Sequence, residues 1–93
     1  MTTTVRDNAD QHRYELAIGD DIVGFADYSV HGDTIVLPHT VIDPAHRGKG
    51  FGAVLVRGAL DDIRERGLIV DPRCWYVAEF IGAHDEYAEL TRR

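Results

Sequence analysis

Cysteine, basic residues and long apolar runs are what this 93-residue chain has least of, and each scarcity removes a class of protein. One cysteine, Cys74, has nothing to pair with inside the chain, which excludes a disulfide-stapled scaffold. Ten Lys and Arg against 16 Asp and Glu give a net charge of −6, whereas a nucleic-acid binder neutralises phosphates with a basic excess. Nucleic acid is therefore not expected as a partner. No apolar run approaches the roughly 18 residues that a membrane helix needs, and the start Met1-Thr2-Thr3-Thr4-Val5-Arg6-Asp7 lacks the apolar stretch of a signal peptide. A membrane partner is not expected either, and the expected location is cytoplasmic. His12, His31, His46 and His84 show no metal-ligand spacing and only Cys74 could add sulfur, so no metal is expected. Nucleophilic-serine and paired-carboxylate arrangements are missing as well.

What remains is an ordinary globular composition, 44% hydrophobic and 28% charged, expected to form one domain over residues 1–93 with its core at about 13–90. The acidity suits a cationic acceptor such as an amine, and equally a plain solubility charge. Arg13 to Ile18 reads as a strand closed by the turn residues Gly19-Asp20-Asp21. Ile22 to Val30 reads as a second strand, turned back by His31-Gly32-Asp33, and Thr34 to Ile42 as a third, giving an antiparallel meander. In the third strand Ile35, Leu37, His39 and Val41 share one face by the period of two. After Asp43-Pro44 the period becomes helical, with Phe51, Val54, Leu55, Ala59 and Ile63 on one stripe and Gly67 as the residue just past the end. Leu68 to Val70 returns to strand character, Cys74-Trp75-Tyr76-Val77 continues it beyond Pro72, and the tail from Ala78 holds one or two short helical turns. Strand, helix, strand implies a parallel pairing across the helix. The fold class is mixed α/β (α+β).

Gly48, Gly50 and Gly52 stand where the main helix begins, although each glycine within a helix costs about 1 kcal/mol relative to alanine. Bare backbone allows close approach, and the free N–H groups with the positive end of the helix attract an anion. Arg47 and Lys49 add charged donors, and His46 to Gly50 contains no acid. A tight turn with close helix-to-sheet contact would use the same glycines. Neither a P-loop nor a dinucleotide fingerprint fits the spacing.

Arg47-Gly48-Lys49-Gly50-Phe51-Gly52 resembles the Arg/Gln-x-x-Gly-x-Gly/Ala signature of the GCN5-related N-acetyltransferase superfamily. With His39-Thr40-Val41 before it and Cys74-Trp75-Tyr76-Val77 after it, the chain resembles the short, single-domain NATD1-like members over roughly Tyr14 to Leu90. The resemblance implies acetyl-CoA (CoA) as cosubstrate and a compact fold whose last strand splays from the central one. It implies a pyrophosphate held by Arg47, Gly48, Lys49, Gly50, Phe51 and Gly52, and a pantetheine arm against the backbone of Val41 and Ile42. Cys74 then stands near the thioester as acetyl acceptor or proton donor, or is a small buried hydrophobe. His39 is a general base or a hydrogen-bonded core histidine. The implied reaction is acetyl transfer to an amine, small-molecule or protein, by a monomer or weak homodimer. A non-catalytic acyl-CoA sensor and an anion-binding interaction domain are the rival readings.

Overall fold

A computed structural model describes residues 2–91; residues 1, 92 and 93, which the expected domain includes, lie outside the described residues. Seven strands, β1 (Thr3–Asn8), β2 (Arg13–Ile18), β3 (Asp21–Asp27), β4 (Ser29–His31), β5 (Thr34–Val36), β6 (Thr40–Ile42) and β7 (Ile69–Asp71), surround two helices, α1 (Phe51–Glu65) and α2 (Trp75–Ala83). Short 3-10 turns lie at Ala9–Gln11, Pro44–His46 and Asp85–Thr91. The strands form two sheets, one in the order β1-β2-β3-β6 and one in the order β4-β5-β7.

The expected meander is present but broken twice. The second expected strand stops at Asp27 and restarts at Ser29: the Tyr28 amide donates to the His12 carbonyl at 2.9 Å as the last rung with β2, and His12, at φ +54°, carries the partner chain away. The third is interrupted at Leu37-Pro38-His39, since Pro38 has no N–H to continue a ladder. Leu37 is the last residue tied to the β7 side, donating to the Asp71 carbonyl at 3.1 Å and accepting from the Cys74 amide at 2.9 Å. After Pro38 the chain crosses to the other sheet, where Val41 pairs with Phe25. The parallel partner of β7 is therefore β5, with Ile35 opposite Val70, while β6 diverges from it.

Two further corrections concern the ends. β1 carries almost no apolar pattern, since Val5 is its one apolar side chain, so Thr3–Asn8 does not read as a strand although it pairs with all of β2. Cys74 to Val77 is not strand. Cys74 caps α2, and Val77, Phe80 and Ile81 bury the face that their spacing of three and four defines. The β-prone run Cys-Trp-Tyr-Val is overruled by that packing.

α1 lies across β1, β2 and β3 and buries Leu55, Val56, Ala59, Leu60 and Ile63. Gly58 permits the contact with β1, because a Cβ there would stand 2.6 Å from Val5 Cβ. The helix ends as expected at Gly67, whose φ of +71° is open to glycine, with the Gly67 amide donating to Arg64 O and the Leu68 amide to Ile63 O. Buried Glu15 accepts from Arg13 Nε at 2.8 Å and Asn8 Nδ2 at 3.0 Å. Burial alone would push its carboxyl up, but those hydrogen bonds and the charges of Arg13 and Arg6 outweigh it and hold the carboxyl below its ordinary range.

Candidate active site

The divergence of β6 from β5 and β7 opens a cavity of about 540 Å³. Its walls come from β6 (Thr40, Val41, Ile42), from the loop and first turn of α1 (His46 to Gly48, Gly50 to Gly52) and from the start of α2 (Cys74, Trp75, Tyr76).

The loop wall is built from backbone. Gly48 and Gly50 have φ of +78° and +81°, the left-handed region that glycine enters without the steric penalty of a side chain. Gly50 is the N-cap of α1 and offers no capping side chain, so the first amides of the helix carry no intrahelical or capping partner. Gly52 serves another purpose: its φ is helical, and a Cβ there would stand 3.0 Å from Tyr76 Oη. The missing side chain lets α2 bring its tyrosine against the first turn of α1. Arg47 Nε donates to the Ile42 carbonyl at 3.0 Å, tying the loop to the end of β6. In the same wall His46 Nδ1 is buried without a hydrogen-bond partner, while its ring lies 6.0 Å from that of Phe51.

The β6 wall offers alternate backbone groups. The Asp43 amide bonds Val23 O at 2.8 Å, and the antiparallel register places Val41 opposite Phe25 and Ile42 opposite Gly24. Alternation then commits the N–H and C=O of Val41 to β3 and turns those of Thr40 and Ile42 the other way, where the Ile42 C=O is already held by Arg47 Nε and the Thr40 groups and the Ile42 N–H face the free edge. Of the two residues expected to offer backbone, Val41 turns its own to β3, and Ile42 turns its N–H toward the cavity side of β6.

At the α2 end Cys74 is only 8% exposed, and its Sγ donates to Thr40 Oγ1 at 3.8 Å. Tyr76 stacks edge-on against Trp75, with centroids 5.8 Å apart, and its hydroxyl has no partner among the described residues. Burial, and to a smaller degree the Glu79 carboxylate, pushes the Tyr76 hydroxyl up, so it stays protonated at neutral pH.

The cavity brings together Val41, Ile42, Arg47, Gly48, Gly50, Phe51, Gly52 and Cys74, but neither Lys49 nor His39 lines it. Lys49 is exposed. His39 does not share the buried face of Leu37, because the break at Pro38 resets the alternation; its Nε2 lies 2.6 Å from Asp27 Oδ2 and its side chain is 57% exposed. Thr40 and His46 are wall residues to which the sequence gives no role, and Tyr76, expected as core or pocket wall, lines the cavity. Tyr76 would be found by reading Val77, Phe80 and Ile81 as a helical stripe, which turns Tyr76 toward the neighbouring glycine.

A family model described as GCN5-related N-acetyl-transferase matches residues 13–90, nearly all of the described chain. The chain belongs to that family. Streptothricin acetyltransferase of Streptomyces lavendulae is 40% identical over 65 residues, which cover 66% of this chain and 34% of that protein. Protein NATD1 of Bos taurus is 38% identical over 55 residues, covering 58% of this chain and 49% of its own length. Thus the chain spans a third to a half of these two relatives. Protein NATD1 of Danio rerio is 29% identical over 96 residues, covering 96% of this chain and 86% of that one. The ribosomal-protein-S18-alanine N-acetyltransferase of Escherichia coli superposes with a TM-score of 0.59 at 21% identity, over 69% of this chain and 43% of that one, and shares the fold. Acetyl-CoA is the general cosubstrate of GCN5-related N-acetyltransferases. Among the described residues no helix is long and apolar enough to cross a membrane, and no group of three metal-ligating side chains occurs.

Proposed function

We propose that the chain is an acetyl-CoA-dependent N-acetyltransferase acting on an amine. One observation carries the reading: within a chain of this family, a single cavity joins an uncapped helix start lined by left-handed glycines, a free strand edge and two proton-bearing side chains. The residues suit the cosubstrate in chemistry. Uncapped amides and the Arg47 guanidinium attract a diphosphate, and buried His46 Nδ1 lacks the partner that a ligand could supply. The N–H and C=O of Thr40 and the N–H of Ile42 match an amide-bearing arm.

Bound acetyl-CoA supplies an activated acetyl thioester. The protein's own contribution is to fix both partners in one slot, to exclude water along the apolar walls of Val41, Ile42 and Phe51, and to hold protons at stated atoms. Tyr76 Oη holds one at the cavity surface, with no acceptor inside the protein. Cys74 Sγ holds another, aligned by Thr40 Oγ1. An S–H already engaged and nearly buried favours the proton-holding role over that of an acetyl carrier.

Calorimetry with acetyl-CoA and with CoA, followed by thiol release across a panel of amines, tests the reading. Binding with amine-dependent release is expected. Tyr76→Phe should lower kcat by about 10²-fold, the lower end for a positioned acid, with CoA affinity retained. Cys74→Ala should lower kcat less, and no stable acetyl adduct should form on Cys74. Absence of heat with either ligand overturns the cosubstrate, and binding without release from any amine overturns the enzyme.

A further inference from the structure

Lys49 is the only lysine in the chain, so its side chain is the one aliphatic amine; the arginines carry guanidiniums, which cannot serve as acetyl acceptors at neutral pH. It is also set apart by its surroundings. Each described arginine has a partner: Arg6 and Arg13 have Glu15, Arg47 has Ile42 O, Arg57 has Glu86, Arg64 has Asp61, Arg66 has Asp7 and Asp62, and Arg73 has Asp71. Lys49 has none; it stands exposed between Gly48 and Gly50, the two left-handed glycines of the loop. A chain with one uncommitted side-chain amine carries it on the loop to which the anion-binding role is given.

We infer that Lys49 is an acetylation site, modified in trans by a second copy of this chain, and that the modification weakens the loop's grip on anionic ligands. The inference rests on the proposed acetyltransferase function. Lys49 does not line its own cavity, which directs the reaction to the cavity of another molecule. In the step, the Lys49 ε-ammonium first releases a proton to solvent, and the neutral amine attacks the thioester carbonyl of acetyl-CoA held by that copy. A C–N bond forms, the C–S bond breaks, CoA leaves as thiolate, and the proton lost from nitrogen reprotonates it. The product amide is uncharged, so one positive charge disappears beside the helix start.

The test combines calorimetry, mass spectrometry and peptide mapping on the intact protein with acetyl-CoA. Expected are one acetyl adduct at Lys49, none in Lys49→Arg, and an initial rate per chain that rises in proportion to protein concentration. Lys49→Gln should bind CoA about two- to fivefold more weakly at low salt, the range of a single exposed charge, and the difference should fade at high salt. A protein that binds CoA and releases it with amines, yet carries no adduct at Lys49, overturns this inference and leaves the function standing. So does an adduct rate equal to that of a free peptide of residues 44–54, or one independent of protein concentration. Absence of CoA binding overturns the function itself.

Discussion

Replacing Gly52 with alanine separates the architectural use of the glycine loop from its chemical use. Because Gly52 has helical φ, alanine there costs no backbone strain and gains up to about 1 kcal/mol of helix propensity. Against that, the new methyl would meet Tyr76 Oη at 3.0 Å, Cζ at 3.2 Å and Cε2 at 3.3 Å. Ordinary carbon contacts lie near 3.5–4.0 Å, so the ring must withdraw by a few tenths of an ångström, at an overpacking cost of about 1 kcal/mol. The two effects nearly cancel. A thermal melt should shift by less than about 8 °C, while the cavity narrows and the Tyr76 hydroxyl moves away from the helix start. CoA affinity measured by calorimetry should then fall about tenfold, or about 1.4 kcal/mol. A folded variant with undiminished affinity would refute the idea that this bare position admits a ligand. At Gly50 the same substitution mixes two causes, since φ of +81° makes any L side chain strained.

Three further outcomes can be measured. Gly67→Ala has open space around its Cβ but a φ of +71°, so its cost is backbone strain alone, about 1 kcal/mol; a melt lowered by about 4–8 °C is expected, and an unchanged melt would contradict the assigned cap. Because the folded Glu15 carboxyl titrates below its unfolded value, its contribution is present above about pH 4.3 and is lost as pH falls through the folded pKa. Urea titrations from pH 7 to pH 3 should therefore show a steeper loss for the wild type than for Glu15→Gln, and parallel curves would refute the role given to its partners. His39→Ala, which removes a side chain bonded to Asp27 outside the cavity, should leave CoA affinity and kcat at wild-type values.

Much of this site is legible before folding because its decisive residues are backbone devices. Glycines at 48, 50 and 52 have few structural uses other than left-handed turns and close approach, and both uses are found. The main helix is equally plain, since a stripe of apolar residues ending at Gly67 satisfies periodicity and capping together. What escapes is whatever depends on distant packing. β1 is held by pairing, by one valine against Gly58 and by Asp7, which accepts from Tyr28 Oη and Arg66 Nη2, so its sequence carries no apolar alternation. α2 is hidden by β-prone aromatics whose helical burial exists only once α1 and the sheet are in place. His39 is misplaced by a strand drawn straight through Pro38, and Tyr76, expected only as core or pocket wall, is placed on a strand where the chain is helical.

Pro38 has a reach beyond its own residue. Were the rung intact, the two sheets could zip into one continuous surface and the slot would close; the vacancy is a gap left in a fence by one post without a hook. Any guest that supplies amides along that gap acts as a removable rung, fastening β6 to the opposite wall. Occupancy should therefore stiffen the halves of the molecule against each other and raise its melting temperature with guest concentration.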